Sequence, residues 1–264
     1  MAQSQLQRPN LLNAVLDAAG GLDHFNQIEW VEVVADVSGA FWAKKGYPNR
    51  RLMTAYVDVH KPRAVFYNFG AHLDEPHLRW IWTPKHLSVE RPNGSVILSR
   101  SDPYKHFAGH VLTTPWDDLD LLYFTGYALW NYIVTPFYFT WPGILTRELD
   151  DYHHTTEAGG GDETWRVLEV THPADFATHC RVQKFYFDPR SYRLRRLDYT
   201  VDVVGDSGPM AHYVYDEKKV GGILFPTLRR ALNVVDGRPT GWSAVLINFH
   251  KISVKTPDAA RPSL

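Results

Sequence analysis

The apolar positions of this chain follow two patterns, and the most pronounced one lies near the middle. Residues 113–145 read TTPWDDLDLLYFTGYALWNYIVTPFYFTWPGIL, and no side chain from residue 121 to residue 145 is charged. At helical spacing, the apolar residues of this stretch cover both sides of the helix. Because a helix that is apolar all round must be buried on all sides, we predict a central helix that the rest of the chain encloses.

The start of this helix carries the expected capping chemistry. Thr114 is a candidate N-cap, and Pro115 suits the first helical position. Asp117 and Asp118 place negative charge near the free N–H groups of the first turn. A proline follows residue 135 and disfavours the helical conformation before it, so we predict a helix at residues 115–135.

The uncharged length alone would also allow a membrane span, since about 18 or more apolar residues are enough. Pro136 and Pro142 interrupt the stretch, and its flanks lack the excess of Lys and Arg that orients a span. We therefore expect no transmembrane segment.

Outside this stretch the apolar residues alternate with a period of two, which is typical of half-buried strands. A short amphipathic helix precedes them at residues 10–21 and ends at a Gly-Gly pair. A helical turn is predicted at residues 102–110. Strands are predicted at residues 27–44, with a bend at Gly39, and at residues 51–60, 63–69, 77–83, 87–91, 95–100, 164–171, 181–187, 192–203, 212–219, 223–235 and 242–254.

Short connections join most of these strands, as in an antiparallel meander. Turn chemistry is found at Asn93-Gly94, at Asp188-Pro189 and at Asp236-Gly237. About a dozen strands must curl to cover one apolar face. The predicted fold class is α+β and mostly antiparallel β: a curved half-barrel sheet that encloses the central aromatic helix. No repeat or linker divides the chain, so we predict a single domain over residues 1–264 with an ordered core of about residues 11–254.

The charge balance excludes some classes of partner. The net charge is -1 and the pI is near 6.9, so the chain lacks the basic surface that binds nucleic acid. Cys180 is the single cysteine, which excludes an intramolecular disulfide and a thiolate-rich metal site. The first ten residues, MAQSQLQRPN, lack the basic and apolar regions of an export signal, so we expect a cytoplasmic protein. No cofactor motif is present, and we expect no cofactor.

The order of these parts resembles the outer-membrane lipoprotein carrier family, which includes LolA-like proteins and mycobacterial lipid-binding relatives. The similarity covers about residues 11–254. It rests on a short first helix ending in Gly-Gly, the hairpin FYFDPRSYRLRRLDY, the segment VGGILFPT and a last strand ending in Ile252-Ser253-Val254. The resemblance implies a half-barrel whose concave face holds acyl chains beneath helical lids.

Aromatic residues are 14% of the chain, and such rings often line pockets. The predicted ligand-binding set combines rings of two strands with rings of the central helix and one polar group, Asn131, which is either a ligand anchor or a core residue bonded to backbone. The set is Trp80, Trp82, Tyr123, Tyr127, Trp130, Asn131 and Phe137, with Tyr213 and Tyr215 near the end of the chain.

Alternation along residues 51–60 places Tyr56, Asp58 and His60 on one strand face. Neighbouring side chains on such a face are about 6.5 to 7 Å apart, so the carboxylate could orient the imidazole as a general base if the face is concave. The alternative interpretation is that Met53 and its i+2 neighbours form the core face and that Asp58 and His60 are solvated. The segment around His212 has the same ambiguity.

Two further patterns resemble catalytic or metal sites. His106 and His110 have the i, i+4 spacing of two ligands on a helix, but no Glu completes an H-E-x-x-H motif, which excludes a zincin. A histidine-only metal site is the alternative to surface or capping histidines; we favour the latter and predict no metal. Residues 177–180 and 205–209 resemble the His and Ser segments of trypsin-like proteases. The separation of His179 and Ser207 is far too short for that scaffold, so we interpret both as ordinary loops.

The function predicted from these patterns is the binding of a bulky, mostly apolar small molecule in an aromatic-lined cavity of the half-barrel. An alternative is a cofactor-free cyclase, isomerase or hydrolase that acts on such a molecule by acid–base and shape catalysis. A third hypothesis is an interaction scaffold, for example a homodimer, that uses the aromatic stretch as its interface.

Overall fold

The computed structural model describes residues 8–73, 75–154 and 162–256. The described chain contains thirteen strands and four α-helices, together with two short 3-10 turns at Pro103–Phe107 and Phe137–Thr140. The helices are α1 (Leu11–Ala19), α2 (Leu22–Phe25), α3 (Ala40–Lys44) and α4 (Asp118–Val134). The strands are β1 (Trp30–Ser38), β2 (Arg51–Asp58), β3 (Arg63–Tyr67), β4 (Arg79–Trp82), β5 (His86–Glu90), β6 (Val96–Ser101), β7 (Leu145–His154), β8 (Glu163–Thr171), β9 (Val182–Phe187), β10 (Leu194–Tyr199), β11 (Met210–Val220), β12 (Ile223–Val235) and β13 (Arg238–Lys255).

All thirteen strands form one sheet, in the order β6-β5-β4-β3-β2-β1-β13-β12-β11-β10-β9-β8-β7. Every neighbouring pair is antiparallel. The chain builds one half of the sheet outward from β1 to the edge strand β6. It then passes through α4 to the opposite edge strand β7 and returns to the centre at β13. The helix therefore connects the two edges of the sheet and lies in its concavity.

Burial along the strands identifies the concave face. In β2, Met53, Ala55 and Val57 are fully buried while Leu52 is exposed. All but one of the residues of α4 are buried, so the predicted enclosure of an aromatic helix by a curved antiparallel sheet is confirmed. Within the described residues, no helix is both long and apolar enough to cross a membrane.

The start of α4 differs from the prediction. Its N-cap is Asp117, whose carboxylate accepts from the backbone N–H groups of Leu119 and Asp120 at 3.0 and 2.8 Å. Thr114 lies in the preceding turn, where its carbonyl accepts from Lys45. A carboxylate cap supported by Arg100 thus sets the helix start three residues later than Pro115.

Two further element predictions were wrong. The predicted strand at residues 27–44 ends at Ser38, because Gly39 has a φ of 125° and begins α3. A Cβ on Gly39 would lie 2.3 Å from the carbonyl oxygen of Ala244. The edge strand β7 was not predicted, since its side chains are mostly polar and lack clear alternation.

Candidate functional site

The aromatic rings of the predicted ligand-binding set are mostly packed solid. Trp82 is fully buried beneath Gly126 of α4, and Trp80 packs against Phe69 with ring centroids 5.3 Å apart. Phe137 stacks on Phe25 at 3.9 Å. The structure places these rings in the core between α4, its C-terminal extension and the sheet.

Trp130 and Asn131 tie α4 to neighbouring backbone. The indole N–H of Trp130 donates to the carbonyls of Asp58 and Lys61 at 2.9 and 3.0 Å. The Asn131 side-chain amide donates to the carbonyls of Tyr127 and Ala177, as the core interpretation of this residue expects.

Tyr213 and Tyr215 lie on the opposite, outer side of the sheet. Their rings are 6.5 Å apart, and the Tyr213 hydroxyl accepts from the guanidinium of Arg196. His212 precedes Tyr213 on β11; it is fully buried and faces the concave side. The structure therefore does not bring Tyr213 and Tyr215 together with the rings of α4.

The predicted acid–base group lies away from the concave face. Tyr56 faces outward, with its hydroxyl 3.5 Å from Glu32. The carboxylate of Asp58 accepts from the backbone N–H groups of His60 and Lys61 at 2.9 and 3.2 Å, which is a turn-stabilising arrangement. His60 is exposed, and within the described residues its imidazole makes no hydrogen bond to this carboxylate.

His106 and His110 are joined by a third group with metal-ligand chemistry. Ligand atoms of the two imidazoles and of the Asp120 carboxylate all lie within 4.8 Å of one another. Arg100 already donates to that carboxylate at 2.8 Å, and His106 Nδ1 lies 2.7 Å from the same oxygen. Asp120, His106 and Arg100 form a hydrogen-bonded network at the N-terminus of α4, and His106, His110 and Asp120 are the residues there that could hold a metal ion.

A narrow apolar gap separates the other side of α4 from the concave face of the sheet. Its cavity volume is about 30 Å³, which is room for about two water molecules. The sheet and α3 supply one wall, and α4 supplies the other. The lining residues are Val37, Trp42, Met53, Phe124, Thr125, Ala128, Leu129, Tyr132, His179, Tyr199, Val245 and Ile247. Concave apolar walls with a few convergent polar groups are the usual form of a small-molecule site.

Three of the lining side chains, Tyr132, His179 and Tyr199, belong to a buried cluster of tyrosines and histidines. Tyr127 and Tyr132 bond the two nitrogens of His179, with the hydroxyl of Tyr127 3.2 Å from Nδ1 and that of Tyr132 2.8 Å from Nε2. The ring of Tyr199 stacks on that of His179, with ring centroids 4.1 Å apart. The Tyr199 hydroxyl in turn lies 3.0 Å from Nδ1 of His212. We call these five side chains the buried relay.

Burial sets the charge states of the buried relay. It lowers the pKa of His179 to about 3 and lowers the pKa of His212 well below the ordinary value. It raises the pKa of Tyr132 to about 12 and raises those of Tyr127 and Tyr199 well above the ordinary value. At neutral pH every member is therefore uncharged, because a low-dielectric interior disfavours the ionised form.

Two buried arginines stack on rings that line the gap, although neither lines the gap itself, and neither has an ion-pair partner in the described chain. Arg229 stacks on the ring of Tyr132 at 4.5 Å, and its only hydrogen bond goes to the backbone carbonyl of that residue. Arg51 stacks on the ring of Trp42 at 4.3 Å, and none of its guanidinium nitrogens finds a hydrogen-bond partner among the described residues. Burial lowers the pKa of each guanidinium to about 10, so both stay charged at neutral pH.

Sequence reasoning missed most of these polar groups. Arg229 lies in the segment LFPTLRRALN. Strand alternation puts its two arginines on opposite faces of the sheet, but it does not show which of the two faces the core. His179 was considered only as part of a false protease motif. The one available signal was alternation in β11, which puts His212 on the face opposite Tyr213 and Tyr215.

Comparisons with solved structures give neighbours at low identity over most of the chain. A LolA superfamily protein from Nitrosomonas europaea has a TM-score of 0.49 and 10% identity, covering 92% of each chain. A DUF1329 family protein from Desulfovibrio piger has a TM-score of 0.50 and 14% identity, covering 96% of this chain and 95% of that one. The lipoprotein LppX from Mycobacterium tuberculosis has a TM-score of 0.24 and 14% identity, covering 72% and 87%.

Neither a protein-family model nor a curated protein matches this sequence. The resemblance to LolA-like proteins predicted from the sequence is confirmed, as a resemblance of fold.

Proposed function

We propose that this protein binds an apolar small molecule in the gap between α4 and the concave face of the half-barrel. The observation that carries the proposal is the gap itself: its walls on the sheet and on α4 are mostly apolar, and Tyr132, His179 and Tyr199 supply polar groups among the lining side chains. The gap is narrow. With a cavity volume of about 30 Å³, it admits a ligand only if α4 and the sheet separate, and a slender acyl or alkyl chain requires less separation than the bulky ring system predicted from the aromatic content.

A neutral fluorescent probe tests this proposal. N-phenyl-1-naphthylamine is expected to bind with saturation and to be displaced by hexadecanol. Ala128 lines the gap, so Ala128→Leu fills it and should weaken probe binding about tenfold or more, since added core volume excludes a guest. Ala43→Leu, the same enlargement at an exposed helix position, is the matched control.

The location of the ligand is tested by photo-crosslinking with a diazirine-bearing alkyl alcohol. Adducts on Trp42, Leu129 or Ile247 are expected, because these side chains line the gap. Adducts confined to Tyr213 and Tyr215 would instead place the ligand on the outer face and refute the proposal. So would equal probe affinity in the wild type and in a folded Ala128→Leu variant.

A cofactor-free enzyme is the second candidate, and one observation favours it. The uncharged imidazole of His179 bonds two tyrosine hydroxyls at the wall of the gap, which is a group able to accept or donate a proton next to a bound ligand. A ligand extracted from the purified protein should then be converted by the wild type and not by His179→Asn, as followed by mass spectrometry. Recovery of unchanged ligand from both would leave binding as the function.

A cytoplasmic location and a homodimer stay predictions. Cell fractionation tests the first and size-exclusion chromatography the second. Tyr127 and Trp130 are fully buried within one chain, so any dimer would use another surface than the aromatic stretch.

A further inference from the structure

Three side chains with metal-ligand chemistry meet beside the first turn of α4. They are His106, His110 and Asp120, and one ligand atom from each lies within 4.8 Å of the other two. One of these contacts is direct, since Nδ1 of His106 lies 2.7 Å from an oxygen of the Asp120 carboxylate. The sequence pattern showed only the two histidines, because Asp120 belongs to another element of the fold.

The backbone holds both histidines against α4. His106 lies in the 3-10 turn Pro103–Phe107, and the ring of Phe107 packs on that of Tyr123 with centroids 5.5 Å apart. The backbone N–H of His110 donates to the carbonyl of Phe107 at 3.0 Å. The two imidazole rings are 5.6 Å apart. The fold therefore assembles the group from an anchored turn and a buried helix.

The carboxylate of this group is buried and shares its arginine partner. Asp120 is 1% exposed and accepts from Arg100 at 2.8 Å. The same guanidinium donates to Asp117 at 2.6 Å, so one arginine serves two carboxylates. A buried charge normally has an opposite charge to pair with. A cation next to Asp120, either a proton on His106 or a metal ion, completes the charge balance.

The ring of His110 is available as a ligand. Its Nδ1 is buried and has no hydrogen-bond partner among the residues described, although buried polar atoms are nearly always hydrogen-bonded. A neutral imidazole carries a hydrogen on one nitrogen and a lone pair on the other. Within the described chain no hydrogen bond to either nitrogen has to be broken for that lone pair to bind a metal ion.

The distances suit one ion after small side-chain movements. Zn²⁺ binds imidazole nitrogen and carboxylate oxygen at about 2.0 to 2.2 Å, so two ligand atoms of a tetrahedral ion lie about 3.4 Å apart. The contact of 2.7 Å between His106 and Asp120 must lengthen by about 0.7 Å, and a contact at the 4.8 Å limit must shorten by about 1.4 Å. The side chain of His106 is 45% exposed, so its ring has room to adjust and a hydrated ion can reach it.

We propose that His106, His110 and Asp120 bind one divalent transition-metal ion, such as Zn²⁺, while Arg100 stays hydrogen-bonded to the ligating carboxylate. This inference goes beyond the proposed function and does not depend on it. It replaces the prediction of no metal, which considered the two histidines alone. Two imidazoles and one carboxylate favour zinc and its neighbours over Mg²⁺ and Ca²⁺, which prefer oxygen ligands. Three protein ligands leave a fourth position for water. His110 also borders an open cleft of about 650 Å³, so solvent reaches the group from that side.

Zinc binding to the full chain, prepared without an affinity tag and freed of metal by dialysis against EDTA, tests this inference. Isothermal titration calorimetry at pH 7.5 should show one equivalent of Zn²⁺ bound with a Kd of about 10 μM or tighter, and no comparable binding of Mg²⁺. If His106 instead carries a proton and pairs with Asp120, added Zn²⁺ binds more weakly than this. Such weak binding, or Mg²⁺ bound as tightly as Zn²⁺, overturns the inference.

Variants then locate the ion. His106→Gln changes a half-exposed side chain and should weaken Zn²⁺ binding about tenfold or more, because loss of an outer partner of a ligand already costs about that much. Asp120→Asn should have the same effect. His153→Gln is the matched control, since it removes another exposed histidine, on the edge strand β7, and it should leave the Kd unchanged. Equal affinity in the wild type and in a folded His106→Gln variant, or an equal loss in His153→Gln, overturns the assignment.

Discussion

Gly126 is the position at which α4 approaches the sheet most closely, and replacing it with alanine tests how tightly the helix is enclosed. A Cβ on Gly126 would lie 2.1 Å from Cγ and 2.4 Å from Cδ1 of the Trp82 side chain. Ordinary carbon–carbon contacts are about 3.5 to 4.0 Å, so helix and strand would have to separate by about 1.5 Å. Trp82 is fully buried and its ring cannot swing into solvent.

The expected cost combines two opposing effects. Alanine favours a helix by about 1 kcal/mol relative to glycine. Overpacking a rigid site costs about 3 kcal/mol or more when the overlap is this severe. We therefore expect Gly126→Ala to lower the free energy of unfolding by about 2 to 3 kcal/mol, which is about 5 to 10 °C in melting temperature for a chain of this size.

Urea unfolding followed by circular dichroism measures this effect. Gly241→Ala is the control, since a Cβ there meets no atom within 4 Å. The double variant with Trp82→Leu should recover part of the loss, because the smaller side chain makes room for the methyl group, and the double-mutant cycle isolates that coupling. A Gly126→Ala protein as stable as the wild type would show that α4 is not packed against β4 as described.

Three further predictions concern side chains near the gap and its supports. Burial lowers the pKa of His179 from 6.5 to about 3, so between these pH values the unfolded chain binds a proton that the folded chain does not, and stability falls as the pH is lowered through this window. The slope of unfolding free energy against pH between 5 and 6 should decrease in His179→Phe, by at most about 1.4 kcal/mol per pH unit. Asp118→Ala should cost about 2 to 4 kcal/mol and speed amide exchange at residues 72 and 73, whose N–H groups donate to this carboxylate, whereas Asp175→Ala at an exposed position should leave that exchange unchanged. Asp58→Ala should cost about 1 kcal/mol without changing probe affinity, and His60→Ala should change neither; loss of turnover on an identified substrate in either variant would instead support the predicted acid–base role.

The architecture could be predicted from the sequence because it depends on patterns that extend over many residues. A helix that is apolar all round needs a cover, and a series of alternating strands with short turns supplies one. The features that were mispredicted depend on single interactions across the fold. Asp117 caps α4 with support from Arg100, and Gly39 ends β1 because a carbonyl of β13 lies against it. Neither partner can be identified from local sequence.

The buried relay could not be predicted from the sequence, for a different reason. The buried relay joins α4, the loop before β9, β10 and β11, so its members are far apart in the chain. Alternation shows that His212 and Tyr213 face opposite sides of the sheet but not which side is concave. The prediction of Asp58 and His60 as an acid–base pair required their side chains to lie on the concave face. In the structure, the Asp58 carboxylate accepts from backbone N–H groups of the following turn instead.

The gap lies where the side chains of α4 are small. The sequence-based prediction relied on the opposite signal, a high content of large aromatic rings. Aromatic rings fill space. The side of α4 that carries Trp130 is packed solid for that reason, and on that helix Gly126 lies directly against the Trp82 ring. Four-residue steps along the other side pass through Phe124, Ala128 and Tyr132, and there the short side chain in the middle leaves room against the sheet. Filling that space at Ala128 should therefore impair binding, while truncating a ring on the packed side should mainly reduce stability.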